Sequence, residues 1–485
     1  MSNELTLAIT KIGDLLVKNT ITSKEDGNPI GDIYLDIPPY QRPYKWTAKN
    51  ANQLINDIDD SMKDSKEVYR VGTLILHKHV KDGKTVYDIV DGQQRSITFS
   101  LLLSCFENVD IPFLKRDITN NSYSIQNVSN NYRAMKRRID NLEKDEKEEL
   151  QKYIQANCEL IVVITSDLSE AFQFFDSQNA RGKELYPHDL LKAYHLREMN
   201  NLDAAETEKV VRIWEDMNQR ELSKLFREYL YRLKEWIQGN RAGELTEHNI
   251  DLFKGVSARD NYPFAQYYKG AFSYAENLNN SLTPFVTGIQ KLRPFQLNAP
   301  IIAGKPFFEY AKYYFDILAD IQDNDKYEGY FIKDNKIVET LDLRKYKNGT
   351  GNSITRLMFD TAILLYVDRF CPEKPSKVDT ELLDQFVVYA FIWAYSMRAQ
   401  YINVGWQVAQ NYIMGTQDVI NSFNLYKIVN ESDSPMALLS KLAEIIHPLS
   451  DYRVRAKKDN WDEEVDGVKQ NYLYYFSKYN FWEAQ

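Results

Sequence analysis

Four polar side chains, Asp91, Gln93, Gln94 and Arg95, stand together around Gly92. A carboxylate can hold a hard cation or orient a water. An amide donates and accepts at once, and a guanidinium grips phosphate through paired N–H groups. The residues before them, Val86, Tyr87, Ile89 and Val90, have the composition of a buried strand. Asp91-Gly92 is a strong turn signal, and from Gln93 onward Ile97, Leu101 and Leu102 fall on one helical face. A strand, a tight turn and a helix start bring unpaired N–H groups and the positive end of the helix dipole to one point, which suits an anion. Such a cluster is costly beside a core strand unless it is paired. The plainer alternative is a solvated turn with a capping Asp91, and the residues alone leave both readings open.

Two further stretches could serve such a site. Ile37 to Trp46 carries three prolines, so an ordered extended loop is expected. It sets Gln41, Arg42 and Lys45 among Tyr40, Tyr44 and Trp46, a mixture that can clamp phosphate or stack a base. It can equally be a stiff loop held down by its aromatics. Downstream, Asn179, Arg181 and Gly182 end one expected helix, which starts at Ser169, and Asp189 and Lys192 lie on the next, opened by Pro187. A capped turn with an i,i+3 ion pair explains these four polar residues as well. His77 and His79 share a strand face, but no cysteine or third histidine is near, so they are not read as a metal site. The basic cluster Arg133, Lys136, Arg137 and Arg138 runs straight into acidic residues and reads as a solvated face. Arg344 to Gly351 is a basic, glycine-containing loop, expected to lead into a helix capped by Ser353.

The elements that must position these groups follow from periodicity. A helix is expected over Leu5–Val17, a short strand over Ile33–Ile37, and a helix from Thr47 to about Asp64. Val71 to Val90 reads as a hairpin turning at Asp82-Gly83. Phe106 to Ser129 looks irregular, Tyr132 to Ala156 helical, and Leu160 to Thr165 a buried strand. Beyond about residue 200 the pattern turns to amphipathic helices: Val210–Trp236, Tyr262–Leu292, Pro306–Ile321, Thr355–Phe370, Thr380–Tyr401 and Pro435–Ile446. A hairpin is expected near Tyr330–Val338, and the aromatic end, Tyr472 to Trp482, should dock on the helical part. The fold class is therefore α+β, with a first domain over 1–200 and a mostly helical one over 201–485.

At 485 residues the chain exceeds one ordinary core. A net charge of −9 argues against general duplex binding, so any nucleic-acid contact should be local. Three scattered cysteines fit a reduced compartment. No signal-peptide pattern opens the chain, and the longest apolar run, Phe386 to Tyr395, is too short to span a bilayer. A cytoplasmic protein without a membrane partner is expected.

Three blocks in order carry a resemblance: PPYQRPYKW at Pro38–Trp46, VGTLIL followed by DIVDGQQRSIT at Asp88–Thr98, and FFDSQNARGKELYPHDLLK at Phe174–Lys192. Their order and spacing resemble the DGQQR family (domain of unknown function 262), the N-terminal domain of GmrSD-type modification-dependent restriction systems. The resemblance covers roughly residues 10 to 200. It implies a ParB/sulfiredoxin-like fold that binds and hydrolyses a nucleoside triphosphate, with Mg²⁺, in defence against phage DNA. The motif falls on Asp91, Gly92, Gln93, Gln94 and Arg95, the YQR element on Tyr40, Gln41 and Arg42, and the third element on Asn179, Arg181, Gly182, Asp189 and Lys192. The expected roles are these. Asp91 holds the metal or orients water, and Gln93 or Gln94 positions that water or reads the nucleotide. Arg95 and Arg42 neutralise phosphate, while Arg181 and Lys192 complete the clamp.

Many relatives add a C-terminal HNH-type nuclease. Here Glu247-His248-Asn249-Ile250 lacks the expected proline, and Ile446-His447-Pro448 lacks the Glu-His pair. That chemistry needs a histidine base and a held metal. The chain is therefore expected to act with a separate nuclease, with DNA sensed directly or through a partner, and homo-oligomerisation is left open. The competing readings are a ParB-like binding module without turnover and a nuclease with an unfamiliar site.

Overall fold

The computed structural model describes residues 5–22, 27–38, 41, 44–81, 83–115, 122–167, 170–171, 174, 186–199, 204–280, 292–323, 336–450 and 463–483. The chain divides into two compact units. The first comprises Met1–Leu185 and Leu196–Asp216, the second Tyr186–His195 and Met217–Gln485.

Runs of β-branched residues build the first unit. Its strands are β1 (Thr6–Lys11), β2 (Ile21–Thr22), β3 (Pro29–Ile30), β4 (Leu35–Asp36), β5 (Tyr69–Lys81), β6 (Lys84–Asp91) and β7 (Cys158–Thr165). Five of them form a mixed sheet in the order β1-β7-β5-β6-β4. β1 runs antiparallel to β7, and β5 antiparallel to β6. β5 with β7 and β4 with β6 are parallel. Side chains alternate across the sheet, so Leu74, Leu76, Tyr87, Ile89, Leu160, Val162 and Ile164 enter one core. That core also takes residues from α1 (Ile12–Leu16), α2 (Ala48–Lys63), α3 (Gln93–Leu103), α4 (Ser122–Asp140) and α5 (Lys144–Asn157). Ile75, Val86, Val90 and Val163 are also buried but lie outside that cluster.

Local periodicity misplaces three elements here. Ile9, Ile12 and Leu16 suggest one helix, yet Thr6–Lys11 is strand. It pairs with β7 residue for residue, from Thr6↔Ile164 to Lys11↔Glu159, and a full antiparallel ladder outweighs a helical spacing. The expected helix over Tyr132–Ala156 is two helices, and the first begins at Ser122, inside the stretch read as irregular. The break comes where the Glu143 N–H donates to Glu146 Oε2 (3.0 Å) and starts a new helix. The strand expected over Ile33–Ile37 is reduced to Leu35–Asp36.

The second unit is helical among its described residues apart from a small hairpin, Glu464–Val465 with Val468–Lys469. The helix expected over Val210–Trp236 stops at Asp216. Asn218 Oδ1 then accepts from the N–H groups of Arg220 (3.0 Å) and Glu221 (3.3 Å), and helix continues to Ile237 with a π-helical stretch over Leu225–Leu230. Ile337–Leu341 is helical where a hairpin end was expected, and 324–335 lie outside the described residues. The helix expected from Thr355 begins at Thr350 after Gly349 (φ 98°), and Ser353 lies inside it, its Oγ donating to Gly349 O. Trp406–Ile413 and Leu425–Glu431 are helices that the periodicity did not reveal. The aromatic end docks as expected: the Tyr472 ring lies 5.2 Å from Tyr395, and Phe476 5.3 Å from Phe391.

Candidate functional site

The strand–turn–helix at Asp91 forms as its residues suggest. β6 ends at Asp91 and α3 starts at Gln93. Gly92 between them has φ 98°, a left-handed value that glycine adopts without a Cβ penalty. A Cβ there would also meet Leu74 Cδ1 at 2.8 Å. The first N–H groups of α3 have no helical acceptor, so this turn offers donors to a ligand.

Each polar residue around the turn has a distinct place. Arg95 Nη2 donates to Thr73 O (2.6 Å) and lies 3.3 Å from Asp91 Oδ2. Thr73 sits past Ile75↔Asp91, the last pair of β5 with β6, so Arg95 takes over the strand edge that β6 has left. Gly72 (φ 130°) makes room for the guanidinium, because a Cβ at 72 would run into Arg95 Nη1. Sequence reasoning missed Gly72; its signal was a glycine inside a strand, which marks a close approach.

Both Asp91 and Arg95 keep 28% of their side chains exposed. No described group bonds the second Asp91 oxygen. One carboxylate with an open oxygen beside the N–H groups that open a helix is a donor set that suits Mg²⁺, which usually keeps waters and phosphate oxygens as its other ligands.

The two glutamines differ. Gln94 Oε1 accepts from the N–H groups of Lys45 (2.8 Å) and Trp46 (3.2 Å), so it anchors the proline-rich loop. Gln93 is 4% exposed, and its Oε1 has no hydrogen-bond partner among the described residues. Gln93 is thus the amide left to meet a ligand.

The loop is pinned at several points. β6 carries a bulge: successive β5 residues Ile75 and Leu76 pair with Asp91 and Ile89, leaving Val90 extra. Gln41 Nε2 donates to the Val90 carbonyl at 2.6 Å. Tyr44 is fully buried, with its hydroxyl 2.7 Å from Thr98 Oγ1 and accepting from Asn131 Nδ2 at 2.7 Å. Burial raises the Tyr44 phenol pKa, against the lowering effect of those two hydrogen bonds. Asn127 and Asn131 also donate to Tyr44 O (3.1 Å) and Trp46 O (2.8 Å), and Lys45 pairs with Glu215 at 2.8 Å. Asn127 lay in the stretch read as irregular, and only a helical register for 122–140 could have exposed the pair.

Gln41, Asp91, Gly92, Gln93, Gln94 and Arg95 are therefore brought together. Tyr40, Arg42, Asn179, Arg181 and Gly182 lie outside the described residues. Asp189 and Lys192 are on the helix Pro187–Arg197, whose residues up to His195 belong to the second unit, with Asp189 Oδ1 3.9 Å from His188 Nε2. In the basic cluster, Arg138 binds Asn56 Oδ1 (2.6 Å) and pairs with Asp59, so it ties α4 to α2 rather than facing solvent. Glu247–Asn249 is a single 3₁₀ turn in which Asn249 caps Thr246 and His248 points into solvent.

Residues 206–459 match the model of a family of unknown function, DUF7834, a span of more than half the chain. The chain belongs to that family. In this DUF7834 member, residues 17–196 match the GmrSD restriction endonuclease, N-terminal domain. The small mixed sheet and the DGQQR turn therefore sit in a GmrSD-type N-terminal domain. No curated protein matches the chain. Among the described residues of this DUF7834 protein, no helix is long and apolar enough to cross a membrane.

Proposed function

We propose that this DUF7834 protein is a component of a modification-dependent restriction system that binds and hydrolyses a nucleoside triphosphate at the Gly92 turn. The observation that carries the reading is the turn itself. A left-handed glycine opens α3 beside Arg95, and the buried Gln93 oxygen there lacks a described partner. The match of 17–196 to the GmrSD N-terminal domain supports the restriction context.

In this reading the N–H groups that open α3 take phosphate oxygens. Arg95, held by Thr73 O, presents its guanidinium to them. The open Asp91 oxygen would hold Mg²⁺, which would supply charge neutralisation at the phosphates. Gln93 orients the attacking water or reads the nucleotide. Gln94 and Gln41 act on the loop, which they hold against the end of β6. Turnover switches the helical unit, which senses DNA directly or through a partner, and a separate nuclease cuts.

The Asp91–Arg95 pair favours a second reading, a binding module without turnover, because it already engages the candidate metal ligand. Phosphate release with each of the four NTPs and Mg²⁺, with and without DNA, separates the two. Turnover that disappears in Asp91→Ala supports the enzyme. Calorimetric binding without turnover supports the module, and neither binding nor turnover rejects both.

A further inference from the structure

The hairpin brings Asp88 beside His77 and His79, which precede it by eleven and nine residues. His77 pairs with Asp88 across β5 and β6, and His79 follows two residues on, on the same face of β5. One ligand atom from each of His77, His79 and Asp88 lies within 4.8 Å of the other two. We propose that these residues form a binding site for a divalent first-row transition metal ion, held by two imidazole nitrogens and one carboxylate oxygen.

Three observations carry the proposal. His79 Nε2 is 3.0 Å from Asp88 Oδ2. Two donors each about 2.1 Å from one ion lie about 3.0 Å apart at a right angle and about 3.4 Å apart at the tetrahedral angle. His77 Nδ1 is buried with no partner among the described residues. The two rings stack, with centroids 5.1 Å apart and planes 11° from parallel, so both approach from one side.

The surroundings favour a cation. Asp36 stands in register with Asp88 on β4, and Asp167 acts on His77 through its charge. Lys81 is the nearby opposing charge on Asp88, and its side chain is 59% exposed. His79 and Asp88 keep 30% and 14% of their side chains exposed, which leaves a path for the ion. Mixed imidazole and carboxylate ligands suit zinc, cobalt, nickel, manganese or ferrous iron better than magnesium or calcium. The site is separate from the magnesium assigned to Asp91, three residues further along β6, and stands whether or not a nucleotide is hydrolysed.

The test uses the tag-free full chain stripped with chelator. Co²⁺ binding is followed by visible absorption and Zn²⁺ binding by calorimetry, for the wild type, His79→Ala, Asp88→Asn and a His248→Ala control. We expect one ion per chain, at least tenfold weaker binding in the two site variants, and no change in the control. Absence of binding by the wild type at submillimolar ion, or equal affinity in both site variants, overturns the proposal. Should the variants not fold, diethyl pyrocarbonate labelling of the wild type read by mass spectrometry decides it. Zn²⁺ must protect His77 and His79 and leave His248 reactive, and labelling unaffected by Zn²⁺ overturns the site.

Discussion

Gly92 and Gly72 show how much a missing Cβ can decide. At Gly92 both the left-handed φ of 98° and the nearness of Leu74 oppose any side chain. Gly92→Ala should cost about 1–3 kcal/mol of stability and abolish nucleotide binding, read by urea denaturation and calorimetry. Gly72→Ala should leave the turn intact but push Arg95 off Thr73 O. It should therefore lower nucleotide affinity while barely changing affinity for Mg²⁺ alone. Arg95→Lys keeps the charge and loses the fork, so affinity should fall roughly tenfold. Affinity equal to wild type in Arg95→Lys would remove Arg95 from the phosphate clamp. The strand, turn and helix start were legible from the residues around Gly92. Which glutamine anchors the loop was not, because Gln93 and Gln94 differ only in what the folded chain sets opposite them.

The proline-rich loop is an element whose shape is imposed from outside. Proline narrows its backbone choices, but Gln41, Gln94, Asn127 and Asn131 select one of them. Asn131 is fully buried and serves both the Tyr44 hydroxyl and the Trp46 carbonyl. Asn131→Ala strands both, at a cost of about 2–4 kcal/mol. Hydrogen exchange should then speed up at the Lys45 and Trp46 amides before it does in β5 and β7. Uniform acceleration across the first unit would show that the loop is no separate element. The β5–β6 hairpin is the opposite case, since its own turn dictates register. Lys81 stands opposite Lys84, and the register that follows sets His77 opposite Asp88. The third ligand of the proposed metal site could therefore have been counted out from the sequence. The pairing runs across two strands, so the spacing along one strand does not show it.

At the scale of the molecule, the helical unit carries buried charge. Lys234 is buried, donating to Leu297 O (2.7 Å) and Ala299 O (3.3 Å). Asp368, also buried, accepts from Tyr314 Oη (2.6 Å) and Leu297 N (2.9 Å). Burial pulls the Lys234 ammonium down to about 8, against the raising effect of Asp368, and lifts the Asp368 carboxyl above its usual range. Asp368→Ala leaves the Tyr314 hydroxyl and the Leu297 amide without their acceptor and removes the negative charge that acts on Lys234, at a cost of about 3–5 kcal/mol by denaturant melting. Between about pH 8 and 10 an unfolded lysine still holds the proton that folded Lys234 has released. Stability should therefore rise with pH across that window in the wild type relative to Lys234→Met. Parallel pH profiles would place the proton elsewhere.

The sequence by itself determined the α+β class, the change of character near residue 200, the turn at Asp91-Gly92 and the long helices of the second unit, some with shifted ends. These rest on short-range rules: side-chain periodicity, the conformational reach of glycine and proline, and charges placed at helix ends. The tertiary structure decided what depends on distant partners. Thr6–Lys11 became strand because β7 offered it a complete ladder, and Asn131 became a loop anchor because α4 begins at Ser122. Arg95 met Thr73, twenty-two residues earlier, because β6 turns away from β5 one pair past Leu76. Hydrogen-bonding groups are satisfied by whatever lies within about 3 Å, and only the packed chain sets which residues those are.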